Sequence, residues 1–527
     1  MTTAEKVPEK SAAESASMDL ARTDSGSAPA ALDTLKKRYN FTTLITLYVS
    51  ASATWEGLLA SLYQVCIGGG PLVLFWGYMI AAAGAISMAT VMSEFASMWP
   101  HNAAQYHWSV KLAPPKWRRG VGWTISWSNA LVYIFSSVST NYIAIMSIQG
   151  IVTLGVEGYT APRWQAYLMF LALGTISIVI NLFSPRSIHW ISIGGFIFHV
   201  AGFLVITITL LATAPQFNSA HVVFTQIQDL TGWNNKGLAM LVGMLPVVVG
   251  FTGVTVPAYL SEETERPEIN VPRSIFLGTI MTAAIGLCFN LSLAFSMGDP
   301  MVLLANPVAT NSTAAAIILQ NTRSLAAAMT LPLFLVVVAA ASTIESFTLA
   351  SRLILGTSRE NAMPGGKWLA HLHPRFNTPM RILFILYAIH VCFGTIYVAN
   401  VTAFYGVTGA LSILVMITLL VPTGMHIVLM HKLKLPYGPW KMPDVLRMPV
   451  NIIAFLTFSF LFVAMLVPST YPITAANMNY ACAMIGASAV ISALTWAFWG
   501  RHHYTGEIVI VEGMAVHHNP EEKVHSV

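Results

Sequence analysis

Apolar stretches of roughly twenty residues, separated by short polar connections, dominate the chain from Phe41 to Gly500. That length is what an α-helix needs to cross about 30 Å of hydrocarbon, and a helix closes its own backbone hydrogen bonds where lipid offers none. Twelve such spans are expected, at approximately 42–67, 72–98, 121–150, 164–183, 189–213, 237–260, 274–297, 325–350, 380–399, 403–430, 450–468 and 478–499. The pattern predicts an all-α polytopic membrane protein. Residues 1–40 break it: rich in Ala, Ser, Thr, Glu and Lys, they hold too little apolar surface to offset chain entropy and are expected to form a disordered tail. They lack the charged start, apolar run and cleavage site of a signal peptide, so the first span is expected to direct insertion. Residues 298–324 are expected to form a long polar outer loop.

The placement of Lys and Arg tests the number of spans, because positive charge concentrates in cytoplasmic connections. With the amino terminus in the cytoplasm, one set of alternate connections holds twenty basic residues between Lys36 and Arg501, and the other holds only Arg163, Lys236 and Arg323. That asymmetry supports twelve spans with both termini cytoplasmic. Composition points the same way: 55% of residues are hydrophobic and 9% charged, against about 25% charged in a soluble domain. The basic residues are scattered rather than clustered, which excludes a nucleic-acid footprint. Cys66, Cys288, Cys392 and Cys482 all fall in apolar stretches without a Cys-x-x-Cys; they read as membrane-buried small hydrophobes, and no metal or cofactor is expected. The sequon Asn311-Ser312-Thr313 falls on the side where glycosylation occurs.

Few groups in the spans can carry chemistry. Three carboxylates lie there, Glu56, Glu94 and Glu345, each at an insertion cost of about 2.5–3.5 kcal/mol. Glu94 is close to the inner end of its span, where a carboxylate can simply reach water; Glu56 and Glu345 lie deeper and read as functional. The first span contains Tyr48-Val-Ser-Ala-Ser-Ala-Thr-Trp-Glu-Gly57, and the sixth contains Gly250-Phe-Thr-Gly-Val-Thr-Val-Pro257. Small and polar residues in the one, and two glycines with a proline in the other, predict helix breaks. Interrupted spans at corresponding positions of two halves point to a transporter's binding site. The offset of five predicts inverted repeats over 41–213 and 237–430, with two added helices in 450–499 and a cytoplasmic tail over 500–527.

Broken helices present backbone N–H groups to an anion and freed carbonyls to a cation, which suits a zwitterion or a small organic cation. Trp55 and Phe251 offer ring faces to an ammonium, and Glu56 supplies charge; for Trp55 the alternative is ordinary helix packing. His199, deep in the fifth span, is a candidate for proton coupling because an imidazole can exchange a proton, although a lone buried histidine is more often a packing residue.

Three segments occur in a telling order: GGGPLVLFWGYMIAAAGAISMATVMSEFASMWPHNAAQYHWSVKLAP (68–114), GFTGVTVPAYLSEETERPEINVPRSI (250–275) and ASRLILGTSRENAMP (350–364). The last carries Ser351, Arg352, Ser358, Arg359, Glu360, Asn361 and Pro364 in a Ser-Arg then Ala-Arg-Asp-Gly-x-x-Pro type of arrangement. Over residues 41 to about 500 the chain resembles the amino acid–polyamine–organocation superfamily, and most closely its fungal amino-acid/choline transporter branch, which includes choline and GABA permeases. The resemblance implies a fold of the LeuT type and alternating access. It also implies substrate held at the unwound parts of the first and sixth spans, here Ser52, Ala53, Thr54, Trp55, Glu56 and Gly57 with Phe251, Thr252, Gly253, Val254 and Thr255. Relatives with a lysine in the fifth span use it as a standing cation, and His199 occupies that position. Two departures leave the substrate open: Ala51-Ser-Ala-Thr54 stands where amino-acid-binding relatives have Gly-Ser-Gly, and Gly253-Val254-Thr255 where many branch members have Gly-Tyr-Asp. Ala103-Ala104 replaces the usual Gly-Gly and is expected to alter only loop packing.

The expected function is secondary transport of an amino acid, a GABA-like zwitterion or choline, coupled to protons through Glu56, His199 or Glu345. The expected partners are a small amine or amino-acid substrate, the proton and the bilayer. The plasma membrane is the expected location, with the vacuolar membrane as rival. The alternative is a non-transporting nutrient sensor on the same fold, which the short tails disfavour. Enzyme motifs such as Gly-x-Ser-x-Gly and His-Glu-x-x-His are absent from the sequence, as is a ring-forming selectivity sequence.

Overall fold

The structure is a computed structural model that describes residues 35–506 apart from 185, 311, 433–434 and 476. The expected amino-terminal tail, nearly all of the carboxy-terminal one and the sequon at Asn311 therefore lie outside the described residues. Among the described residues, ten helices are long and apolar enough to cross a membrane: Val73–Met98, Pro115–Gly155, Arg163–Phe183, Ser187–Thr213, Pro267–Ser296, Leu325–Arg359, Met380–Ala399, Phe404–Leu429, Asp444–Ala464 and Ala481–His503. Each overlaps one expected span. The third-span helix, at 41 residues, is about 60 Å long, and the eighth-span helix ends at Arg359 rather than near residue 350. Hydropathy marks where a helix is apolar, not where it stops. Pro115 suits a first helical turn and starts the third helix early, while ion pairs hold the polar last turns of the eighth.

The two expected spans without a continuous helix are the first and the sixth. The first is divided into Phe41–Ser52, Thr54–Ala60 and Leu62–Ile67. Its entry is capped by Asn40, whose side chain accepts from the Thr43 N–H at 3.0 Å. Its break falls at Ala53, held in the left-handed region at φ 39° and ψ 49°, a conformation that costs an L-residue roughly 1–2 kcal/mol. The sixth is helical over Lys236–Val249, with Pro246 inside it. It then turns without regular helix through Gly250–Thr255 and resumes as the 3-10 stretch Val256–Glu263. The breaks face each other: a Cβ on Gly250 would lie 2.6 Å from Cγ2 of Thr54, and one on Gly253 would lie 3.3 Å from Oγ of Ser52. Beyond them the two spans cross at backbone contact, where any side chain at Gly243 would overlap the Gly68 carbonyl.

Residues 298–324 are not an extended loop. They form Pro300–Ala305, a 3-10 turn at Pro307–Thr310 and Thr313–Thr322. Asp299 accepts from the Met301 N–H at 2.9 Å and Ser312 from the Ala315 N–H at 3.2 Å, so each helix carries its own cap. The apolar run Ala314–Ile318 is buried, which explains why a segment too short to span still folds inward.

The main hydrophobic core runs through the bundle and includes Leu47, Trp55, Phe289 and Leu353, with smaller clusters around Tyr106 and Trp123 and around Tyr142 and Phe170. Bulky apolar side chains such as Trp164, Ile197, Ile208, Phe384, Leu456 and Phe498 are exposed on its outer surface, the side that hydrocarbon would cover. Cys66 is buried, whereas Cys288, Cys392 and Cys482 lie on that outer surface and none of the four forms a disulfide. Residues 35–40 and 500–506 emerge at the same end, called here the terminal face: Arg38 lies 3.9 Å from Glu263, Glu263 binds Arg352, and Arg119 donates to the Tyr504 carbonyl at 2.9 Å.

Candidate functional site

Just past the break in the first span, Oε1 of Glu56 lies 2.7 Å from Nδ1 of His199. Both side chains are buried, so the fifth span supplies the partner that a carboxylate in this setting needs. With Glu56 ionised, Nδ1 carries the proton and donates. Trp55 fixes the arrangement: its indole N–H donates to the His199 carbonyl at 3.2 Å, and its ring packs against His199 and Phe289 at 5.9 and 5.4 Å. The Trp55 ring is thus fully buried in packing, and Phe251 is likewise buried, against Tyr78 at 5.3 Å. Neither presents an open face.

The surroundings of the break are unusual for a protein interior, where nearly every buried polar group is bonded. Ser52 Oγ, Thr54 Oγ1, Glu56 Oε2 and His199 Nε2 are buried without a hydrogen-bond partner. Ser52, Ala53, Gly57, Thr252 and Gly253 are only half-buried, and a Cβ on Gly57 would meet open space. Val254 and Thr255 are turned away from this gap. Val254 is fully buried, and the Thr255 hydroxyl accepts from Gln105 at 2.6 Å, whose own Oε1 accepts from Tyr259.

Glu345 lies on the other side of the break. Fully buried in the eighth-span helix, its carboxylate faces the hydroxyls of Ser50 and Ser192 without a well-formed hydrogen bond to either. Gly195 permits this approach, since any side chain there would overlap Ser50 Oγ. The Ser342 hydroxyl donates to the Ser50 carbonyl at 3.3 Å. One carboxylate therefore stands before Ala53 and one after it.

Glu94 does not reach water. It is fully buried, and its Oε1 accepts from the Met442 N–H and from Arg447 Nε, each at 3.1 Å. The guanidinium that pairs with it enters from the start of the eleventh-span helix, 353 residues away in the chain, so no local pattern announces it.

The terminal face is dense with paired charge. Arg352 Nε donates to Glu263 Oε1 and Arg359 Nη1 to Glu262 Oε2, both at 2.5 Å. The Glu262 N–H donates to Asn102 at 2.8 Å. The Glu263 carbonyl accepts from the N–H groups of Arg38 and Tyr39 at 2.7 and 2.9 Å. The Tyr106 hydroxyl donates to Glu360 Oε2 at 2.6 Å and lies 3.1 Å from that of Tyr504. Burial pushes the His101 imidazole down to about 3, with Arg359 and then Lys111 acting in the same direction, and takes His107 well below its ordinary range. Sequence reasoning named Arg352, Arg359 and Glu360 only through a motif and passed over Glu262, Glu263, His101 and His107. Their proximity to apolar spans, in a region where charge is rare, was the available signal. A cleft of about 500 Å³ lies between Phe41, Asn270, Arg273, Phe276, Leu277 and Trp440, and no break residue lines it.

A family profile described as amino acid permease matches residues 39–488. The chain is similar to a choline transporter of Saccharomyces cerevisiae, 26% identical over 474 residues that cover 89% of this chain and 83% of that one. It is 26% identical to amino-acid permease 2 of Neurospora crassa over 475 residues, 90% of this chain and 86% of the other. A putative amino acid/polyamine transporter of Macrophomina phaseolina is 27% identical over 452 residues, 84% and 97% of the two chains.

Proposed function

The chain belongs to the amino acid permease family, and from that premise we propose that it is a proton-coupled secondary transporter for a small zwitterion or organic cation, bound between the breaks of its first and sixth spans. The observation that carries the reading is the pairing of the two breaks, with Thr54 against Gly250 and Ser52 against Gly253, beside buried polar atoms that lack partners. A substrate with an ammonium group would find the Glu56 carboxylate. A carboxylate on the same substrate would find hydroxyls and the N–H groups that a helix start leaves unbonded. The names of the relatives, a choline transporter and an amino-acid permease among them, define the range of substrates to try.

Glu56 and His199 share one hydrogen bond, so a proton arriving at either changes the charge of the pair and the attraction for a cationic group. Glu345 is the second candidate for that role, because a buried carboxylate without a formed hydrogen bond is costly while ionised. Transport then proceeds by alternating access, with one bundle of spans rocking against the other. The basic connections would face the cytoplasm, as would both termini, and the plasma membrane is the proposed location. The terminal face, closed by Gln105 against Thr255 and by the Glu262 and Glu263 ion pairs, is the gate on that side. Competition uptake in transporter-deficient yeast tests the proposal, with labelled choline, GABA and mixed amino acids at pH 5 and pH 7. Saturable uptake of one compound that collapses with the proton gradient is the expected result. No uptake of any, with the protein shown at the surface, would overturn it.

A further inference from the structure

One buried cluster has no part in the transport reading. His101 and His107, which follow the second span, stack with centroids 4.3 Å apart and planes 15° apart, and Glu360 lies across from both. Nε2 of His101 and Nδ1 of His107 are 3.9 and 4.0 Å from the same oxygen, Oε1 of Glu360. All three side chains are buried, and their potential ligand atoms lie within 4.8 Å of one another. Nδ1 of His107 has no hydrogen-bond partner although its side chain is only 8% exposed.

Two imidazoles and one carboxylate form a donor set that zinc takes, with bonds of about 2.0–2.2 Å and therefore donor–donor edges of about 3.4 Å in a tetrahedron. The two histidine–Glu360 separations need to contract by about half an ångström to meet it, while the remaining edge, within 4.8 Å, must shorten by up to about 1.4 Å and the stacked rings must tilt toward a common point. Calcium and magnesium fit poorly, because they ask for six or more oxygens. The Tyr106 hydroxyl, bonded to Glu360 Oε2 at 2.6 Å, orients the carboxylate in the way that partners of metal ligands do. The adjacent Arg359 guanidinium is engaged by Glu262 at 2.5 Å.

We propose that His101, His107 and Glu360 bind a divalent transition metal of the zinc class at the terminal face. His101 Nδ1 now accepts from the Ala103 N–H at 2.9 Å. On binding, the ring proton moves from Nε2 to Nδ1, Nε2 ligates the ion, and the bond from Ala103 is given up; a water completes the fourth position. The ion would tie the helix Gln105–Leu112 and the loop before it to the end of the eighth-span helix, and so hold this face closed. That consequence rests on the transport reading; the binding does not.

The test is a Co²⁺ titration of the purified, untagged, full-length protein, followed by visible absorption and thermal unfolding. One equivalent of Co²⁺ should produce the d–d bands of a four-coordinate site, Zn²⁺ should erase them, and Zn²⁺ should raise the unfolding temperature. His101→Gln and His107→Gln should each remove the bands. His107→Cys keeps a ligand and should add thiolate-to-cobalt charge transfer, which distinguishes a lost site from a misfolded variant. Wild-type protein without bands, bands that survive both Gln substitutions, or a His107→Cys protein without charge transfer would each overturn the proposal. Failure of uptake in the transport assay would leave this result untouched.

Discussion

The centre of the bundle and its terminal face use charge in opposite ways. At the terminal face Glu262, Glu263 and Glu94 each meet a guanidinium, and the Met442 N–H also reaches the Glu94 carboxylate. At the centre Glu56 meets an imidazole instead, and Glu345 has no well-formed bond; the second oxygens of Glu56, Glu94, Glu262 and Glu263 are unbonded alike. Pairing costs desolvation and returns it only when geometry is complete. The terminal face is therefore held together by charge paired with charge, as a gate that closes needs to be, whereas the centre retains groups that a substrate or a proton can satisfy.

The largest effect that could break this contrast is on stability. Glu263→Gln leaves the buried Arg352 guanidinium uncompensated and should cost about 3–5 kcal/mol, read from thermal unfolding in detergent. Glu345→Gln replaces a buried carboxyl group that has no well-formed hydrogen bond and should leave the unfolding temperature unchanged or higher. Equal losses in the two variants would show that the two regions do not differ in the way proposed. Next in size, Gly57→Leu should fill the open space beside the break and reduce uptake by about a hundredfold, equivalent to roughly 2.7 kcal/mol, while the unfolding temperature holds; near-normal uptake would place the substrate elsewhere. The smallest effect is that of Trp55→Phe, which keeps a ring but removes the donor to the His199 carbonyl. About 1 kcal/mol is at stake, so the half-saturation constant should rise roughly fivefold, and an unchanged constant would confine Trp55 to packing.

Much of this was legible because lipid imposes a simple rule on sequence. The ten uninterrupted spans are long apolar runs, and the two breaks show as small, polar and Gly/Pro-rich stretches at Ala53 and at Gly250–Thr255. Partners distant in the chain were not legible. His199 and Glu56 stand 143 residues apart and were named separately, yet share a hydrogen bond. Glu94 was expected to reach water because its partner Arg447 belongs to another span. Residues 298–324 were expected as a loop because runs such as Ala314–Ile318 are too short to register as spans, although Asp299 and Ser312 are helix-capping residues. Helix ends were missed for a related reason: the terminal turns carry polar residues that tertiary ion pairs hold in helix.

The central claim is that the pair beside the break couples a proton to transport. Its most direct test is substrate uptake into proteoliposomes of purified wild-type and Glu56→Gln protein, with and without an imposed pH gradient. The account predicts that the gradient accelerates wild-type uptake and that Glu56→Gln, folded and of similar unfolding temperature, loses the acceleration. Gradient-driven uptake undiminished in Glu56→Gln would contradict it.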